Sequence, residues 1–300
     1  MARPNFVIAG AARSGTTALA RALGAHPDVF FTEPKEVHFF AHVDAPRRYL
    51  GPGDDAAINH PMVSDPAAFS ALFDGAAEPL LGEGSVSTLY APDVAIPALR
   101  AHADPDLKVI AVLRSPAERA YSAFLYLRSR GHETAERFVD GLDAEAERID
   151  AGWHHMWHYR GMSRYDQQLP AFADAFGSRL LVVDFDDLES APAATLSNVA
   201  DFLGLDPTVP VTMAADVNRG GEPRSAAWSA VVNRVRTTPA LNRLARTVVP
   251  PQVRTQLRSR NLARPDADPE VMAALRAELV PATEAVERVL GRSLPRWRGE

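Results

Sequence analysis

Residues 9–17, AGAARSGTT, place an arginine, a serine, a glycine and two threonines directly after the apolar run NFVIAG of residues 5–10. A strand that ends in small residues and turns into a helix aims backbone N–H groups, hydroxyls and the positive helix end at one point. Arg13, Ser14, Gly15, Thr16 and Thr17 therefore form a candidate anion cradle. The spacing from Gly10 to Gly15-Thr16-Thr17 is that of a phosphate-binding P-loop, with Thr16 standing where the loop lysine belongs. Placing the cation at Arg13 changes which oxygen it reaches, and removes the lysine that spans the terminal phosphates of a nucleoside triphosphate. Taken alone, the loop also reads as a tight strand-to-helix turn capped by Ser14.

Two further stretches carry chemistry. In VLRSPAERAYSAF, residues 112–124, Arg114 sits at the end of a second apolar run, Pro116 suits the first turn of a helix, and Ser122 lies about two turns on. Arg119 and Ser122, three apart, share a helix face; the plain alternative is a pair of surface cations and a small packing residue. In TEPKEVHFFA, residues 32–41, Glu33, Lys35, Glu36 and His38 form a candidate acid–base cluster. An extended backbone puts Glu36 and His38 on one face; the plain alternative is a solvated strand end.

The elements that must position these residues alternate. NFVIAG (5–10), KVIAVLR (108–114) and RLLVVDF (179–185) read as buried parallel strands, and helical patterns cover 15–25, 116–130 and 190–203. Such alternation predicts an α/β fold, and anion sites at successive strand ends lie where open α/β sheets bind ligands. Residues 44–66 read as an irregular excursion, 131–160 as a helix-favouring cover for a cleft, and 269–291 as a helix of a C-terminal tail (265–300) packed on the rest. One domain over 1–300 is expected.

Composition narrows the function. The chain has 300 residues, 46% of them hydrophobic, enough to bury roughly three quarters of its unfolded surface. With no cysteine, disulfides, thiolate nucleophiles and Cys-ligated metals are excluded. A net charge of −6 argues against a nucleic-acid or anionic-membrane binder, so an anionic ligand must be held by local arginines. Neither a signal peptide nor a membrane span is read, which predicts a cytoplasmic protein. His154 and His158 in HHMWH have helical ligand spacing, but the stretch reads as an aromatic cleft wall, and no metal site is expected.

GAARSGTTAL, PKEVHFF, VLRSPAERAYSAF and NRGGEPRS (218–225) resemble, in this order, the motifs of sulfotransferases that use 3′-phosphoadenosine 5′-phosphosulfate (PAPS), nearest to the bacterial and heparan-sulfate-type branches. The resemblance extends through GMSRYDQQLPAFADAFGSRLLVVDFDDL (161–188), FLGL (202–205) and VLGRSLPRW (289–297), nearly the whole chain. It implies a P-loop-NTPase-like three-layer fold with a central parallel β-sheet. It also implies that Arg13, Ser14, Gly15, Thr16 and Thr17 cradle the 5′-phosphosulfate, with Arg13 in place of the usual lysine, and that Arg114 and Ser122 bind the 3′-phosphate. Gly220, Gly221, Arg224 and Ser225 would belong to a loop closing on PAPS, Glu36 would be the general base, and Lys35 and His38 would flank the acceptor. The acceptor would be a small molecule, glycan or lipid. In GEGSVSTLY (82–90), Gly84 stands where the family usually has a lysine. The alternatives are a P-loop kinase, which needs a cation equivalent to the lost lysine, and a nucleotide-binding module without catalysis.

Overall fold

The computed structural model describes residues 2–44, 47–213, 222–223, 262–263 and 265–300. Gly220, Gly221, Arg224 and Ser225 lie outside the described residues. The central sheet contains β1 (Phe6–Gly10), β2 (Val29–Phe31), β3 (Leu80–Glu83), β4 (Lys108–Leu113) and β5 (Leu180–Asp184), all parallel, in the order β2-β3-β1-β4-β5. The period-2 alternation of β1 and β4 feeds two cores: Val7, Ala9, Val109, Ala111 and Leu113 enter one, and Phe6, Ile8, Ile110 and Val112 the other. Both faces are thus covered by helices, the expected environment of an all-parallel sheet.

Helix α1 (Thr16–Leu23) follows β1, and the next connections carry the chain to β2 and back through β3, while β4 lies on the other side of β1. The crevice at the carboxyl ends of β1 and β4 is therefore where successive connections diverge. Next in order are α2 (Phe39–His42), α3 (Pro66–Ala71), α4 (Ser87–Tyr90), α5 (Pro92–His102) and α6 (Pro116–Ser129). Helix α6 starts at Pro116 as the sequence predicts, since proline pre-sets the first-turn φ and owes no hydrogen bond there.

The segment after α6 forms α7 (Phe138–Asp143) and α8 (Glu145–Asp150), and α9 (Tyr165–Phe176) leads to β5, α10 (Phe185–Ser190) and α11 (Pro192–Leu203). A short antiparallel pair, β6 (Glu222–Pro223) and β7 (Leu262–Ala263), precedes the tail. The tail helix predicted over 269–291 is two helices, α12 (Pro269–Glu278) and α13 (Val280–Leu290), followed by α14 (Pro295–Arg298). Pro281, in the first turn of α13, has no N–H to continue α12 and forces the break after Glu278. Strand β3 escaped the sequence reading because its apolar stretch is two leucines long before Gly82.

The tail completes the core. Val286 and Ala282 of α13 are fully buried with Leu169 and Phe172 of α9, and the Trp297 ring stands 6.4 Å from that of Tyr165. Replacing Trp297 by alanine should cost about 3–5 kcal/mol of unfolding free energy, as large-to-small aromatic deletions in packed cores do. Urea unfolding checks this; an unchanged midpoint would mean that the tail lends the core no stability.

Candidate active site

After β1 the chain makes a left-handed turn that opens α1. Gly15 is the N-cap of α1 at φ +88, and no side chain caps the helix, so the capping role read for Ser14 is not taken up. Serine could cap only from the N-cap position itself, which the left-handed glycine occupies. Among the described residues the N–H groups of Thr16 and Thr17 have no backbone acceptor, leaving donors at the positive helix end. Ser14 and Thr16 are buried. Gly15 is required twice over: its φ favours glycine, and a Cβ there would meet Phe185 Cε2 at 3.1 Å.

Arg13 also adopts a positive φ, +69, uncommon for a residue with a Cβ. Its Nε is sealed from solvent with no hydrogen-bond partner, and its guanidinium carbon sits 4.4 Å from the Tyr126 ring centre. Burial draws its pKa down to about 10, opposed by Tyr126 and aided by Arg114, Arg130 and Arg119, so it remains a cation at neutral pH.

The second cradle opens α6. Arg114 follows β4, its guanidinium 4.8 Å from the Phe185 ring centre and 3.6 Å from Glu118. Phe185 thus touches both the Gly15 turn and Arg114. Ser122 is buried two turns into α6. Arg119, sharing a face with Ser122 in the sequence reading, is no surface cation. It is fully buried, donates from Nε to Ser163 Oγ at 2.7 Å and from Nη2 to the Tyr159 carbonyl at 2.6 Å, and so ties residues 159–163 to α6.

The third stretch lies beyond β2. Glu36 is half-buried, and Lys35 Nζ lies 3.3 Å from its Oε1 and 2.7 Å from the Gly84 carbonyl. Glu33, the other carboxylate of the cluster, is exposed. His38 is not on the face of Glu36 as an extended chain would place it. A left-handed turn at φ +56 sends its ring inward, where Nδ1 lies 2.6 Å from Ser87 Oγ and burial lowers its pKa to about 4. It packs 5.4 Å from the His154 ring, which lies 4.7 Å from the Tyr49 ring. His155 to Trp157 form a 3-10 turn, not the helix that would align His154 with His158.

At Gly84 a Cβ would lie 2.8 Å from Phe31 Cζ and 3.3 Å from Lys35 Cε, so Lys35 occupies the space beside the glycine. The preceding Glu83 carried no signal beyond its place at a strand end. It is fully buried, receives the N–H and hydroxyl of Ser85, and through Ser85 Oγ, which accepts the His38 N–H at 2.8 Å, supports the His38 turn. Burial raises its pKa to about 7 against the bonds from Ser85 and the charge of Lys35.

Arg13 and Arg114 thus stand just beyond the ends of the adjacent strands β1 and β4, and the Glu36–Lys35 pair lies beyond β2. The model described as "Sulfotransferase family" matches residues 4–209. The chain belongs to the sulfotransferase family. A solved sulfotransferase from Alicyclobacillus acidocaldarius is similar over 99% of this chain and 100% of its own, with a TM-score of 0.73 and 29% identity. The bifunctional heparan sulfate N-deacetylase/N-sulfotransferase 3 of Mus musculus is 27% identical over 217 residues, and type 2 of Homo sapiens 28% over 212. Each alignment covers 68% of this chain and 22% of the relative, so the chain spans under a quarter of their length. Among the described residues no helix is long and apolar enough to cross a membrane.

The buried acid gives a pH test. Because the folded-state pKa of Glu83 lies above its ordinary 4.5, the folded protein holds the proton more tightly. Its contribution to stability is full below pH 4.5 and is lost as pH rises through about 7. Glu83→Gln, which stays neutral, should therefore gain stability relative to the parent as pH is raised from 5 to 8, read by urea midpoints across that range. A difference independent of pH would mean that Glu83 does not titrate there.

Proposed function

We propose that the protein transfers a sulfonate group from PAPS to a hydroxyl or amine of a small-molecule, glycan or lipid acceptor, with Glu36 as general base. The observation that carries this reading is the Arg13 guanidinium in the loop that opens α1, with its Nε sealed and without a hydrogen-bond partner among the described residues, and three further arginines acting on it. Such a pocket suits a ligand with several negative charges. PAPS supplies the activated sulfonate. The Thr16 and Thr17 amides, Ser14 and Arg13 would hold its 5′ side, and Arg114 and Ser122 its 3′-phosphate; Gly220, Gly221, Arg224 and Ser225 keep the closing role that the motif suggests.

Within that frame each side chain has a task. Arg13 and the positive end of α1 offset the charge that develops on the leaving phosphate oxygen, donors already fixed by the fold. Glu36 faces the acceptor and takes its proton as the new bond to sulfur forms. Lys35, lying on the Gly84 carbonyl and 3.3 Å from Glu36, supplies a cation beside the acceptor and orients Glu36. His38, neutral and bonded to Ser87, backs the turn instead of receiving the proton. Family membership sets the kinase alternative aside. The heparan sulfate relatives favour a glycan among the acceptor classes.

Two outcomes are expected. First, 3′,5′-ADP at about 100 times its Kd should add roughly 2.7 kcal/mol to thermal stability while ADP adds far less. Arg114→Ala should weaken 3′,5′-ADP binding about ten- to a hundred-fold, the loss of a charge-assisted bond. Equal shifts from the two nucleotides would refute the 3′-phosphate site. Second, Glu36→Gln should lower kcat about 10²- to 10⁴-fold with 3′,5′-ADP affinity within a few-fold, and Glu33→Gln should do much less. Product formation is read as an 80 Da gain by mass spectrometry in a screen of acceptors with PAPS. Near-normal turnover in Glu36→Gln would remove the base assignment.

A further inference from the structure

Among the described residues Arg13 has no ion-pair partner; it sits at a positive φ, with its Nε sealed from water. What holds its guanidinium is a ring from another element: Tyr126 of α6, 4.4 Å away. Tyr126 belongs to a stripe. Ser122, Tyr126 and Arg130 follow at intervals of four, one face of a helix and its C-cap, and the Arg130 guanidinium carbon also lies 4.4 Å from the Tyr126 ring centre. The same helix begins beside Arg114. One helix therefore carries Ser122, proposed for the 3′-phosphate, and, one turn beyond it, the ring that receives the loop cation.

We infer that Tyr126 is a positioning residue that fixes Arg13 for sulfonate transfer and makes arginine, not lysine, the working cation of this loop. A guanidinium is planar, weakly hydrated and packs well on an aromatic face, whereas an ammonium is a compact and strongly hydrated point charge. An arginine free to swing would meet the leaving oxygen only part of the time, and Arg130 on the same ring adds a repulsion that discourages Arg13 from drifting toward it. The inference rests on the reading of Arg13 as the cation at the transferring group, and its test separates the two.

The test uses Tyr126→Phe, Tyr126→Leu, Arg13→Lys and Arg13→Ala in the full chain, with two readouts. In protein labelled with 15N-arginine, the Arg13 Nε–Hε signal, assigned by its absence in Arg13→Lys, should be displaced by the ring current in the parent and in Tyr126→Phe, and should return toward the ordinary position in Tyr126→Leu. In single-turnover transfer from PAPS, Tyr126→Leu should be slowed about 2- to 30-fold, the range of a cation–π contact. Tyr126→Phe should match the parent, and 3′,5′-ADP affinity should stay within about three-fold in both. Arg13→Lys should be slowed as much as Tyr126→Leu or more. Should Tyr126→Leu not fold, Arg13→Lys and the Tyr126→Phe signal carry the test. Parent-like transfer in Tyr126→Leu or in Arg13→Lys overturns the inference, as does an unmoved Arg13 signal in Tyr126→Leu. Parent-like transfer in Arg13→Ala overturns the reading of Arg13 itself, even where the signal shows the stacked pair.

Discussion

Bringing several guanidinium groups to one edge of a parallel sheet, inside a chain whose net charge is −6, is the constraint around which this molecule is organised. Each desolvated cation costs free energy that an adjacent carboxylate would offset, but a carboxylate in the cradle would also neutralise the pocket. Aromatic faces and neutral acceptors serve instead. Arg13 lies over Tyr126, Arg114 over Phe185, and Arg119 gives its protons to a serine hydroxyl and a backbone carbonyl. Glu118, 3.6 Å from Arg114 and at the solvent side of α6, is the acid that does approach, and it remains about one-third exposed.

The acidic side of the crevice solves the opposite problem. Glu36 keeps some solvent and a lysine, while Glu83, a few residues away in space, is sealed, and burial raises its pKa to about 7. A second ionised carboxylate there would compete with Glu36 for the charge of Lys35. Glycine at position 84 belongs to the same arrangement: Phe31 and Lys35 fill the volume that a side chain would need, and the carbonyl exposed by the glycine receives Lys35.

The cleft-side segment is attached by polar contacts to the backbone. Arg119 reaches Tyr159 and Ser163, and the Glu145 carboxylate accepts the N–H groups of Arg160 and Gly161 at 2.7 and 2.8 Å. A buried pair, Arg148 and Glu133 at 2.8 Å, ringed by Trp153, Trp157 and Tyr159, fixes its base. Residues 159–163 are thereby tied to the same helix that carries Ser122.

Much of this was legible in the linear chain, because it depends on local periods. The alternation of NFVIAG and KVIAVLR, the glycine that a left-handed turn requires, the proline that opens α6 and the order of the motifs follow from residues within a few positions of one another. Membership of the family, the parallel sheet and the placing of Arg13, Arg114 and Glu36 just beyond strand ends are read from that local code. Long-range contact decided the rest. That Tyr126 and Phe185, unremarkable members of apolar helix patterns, receive the two site arginines depends on how α6 and β5 cross the sheet edge. His38 turns inward because Ser85 and Ser87, some fifty residues away, offer it partners there. A side chain's hydrogen-bonding type is written in the sequence, but its partner is chosen by packing, where elements distant in the chain compete for the same volume.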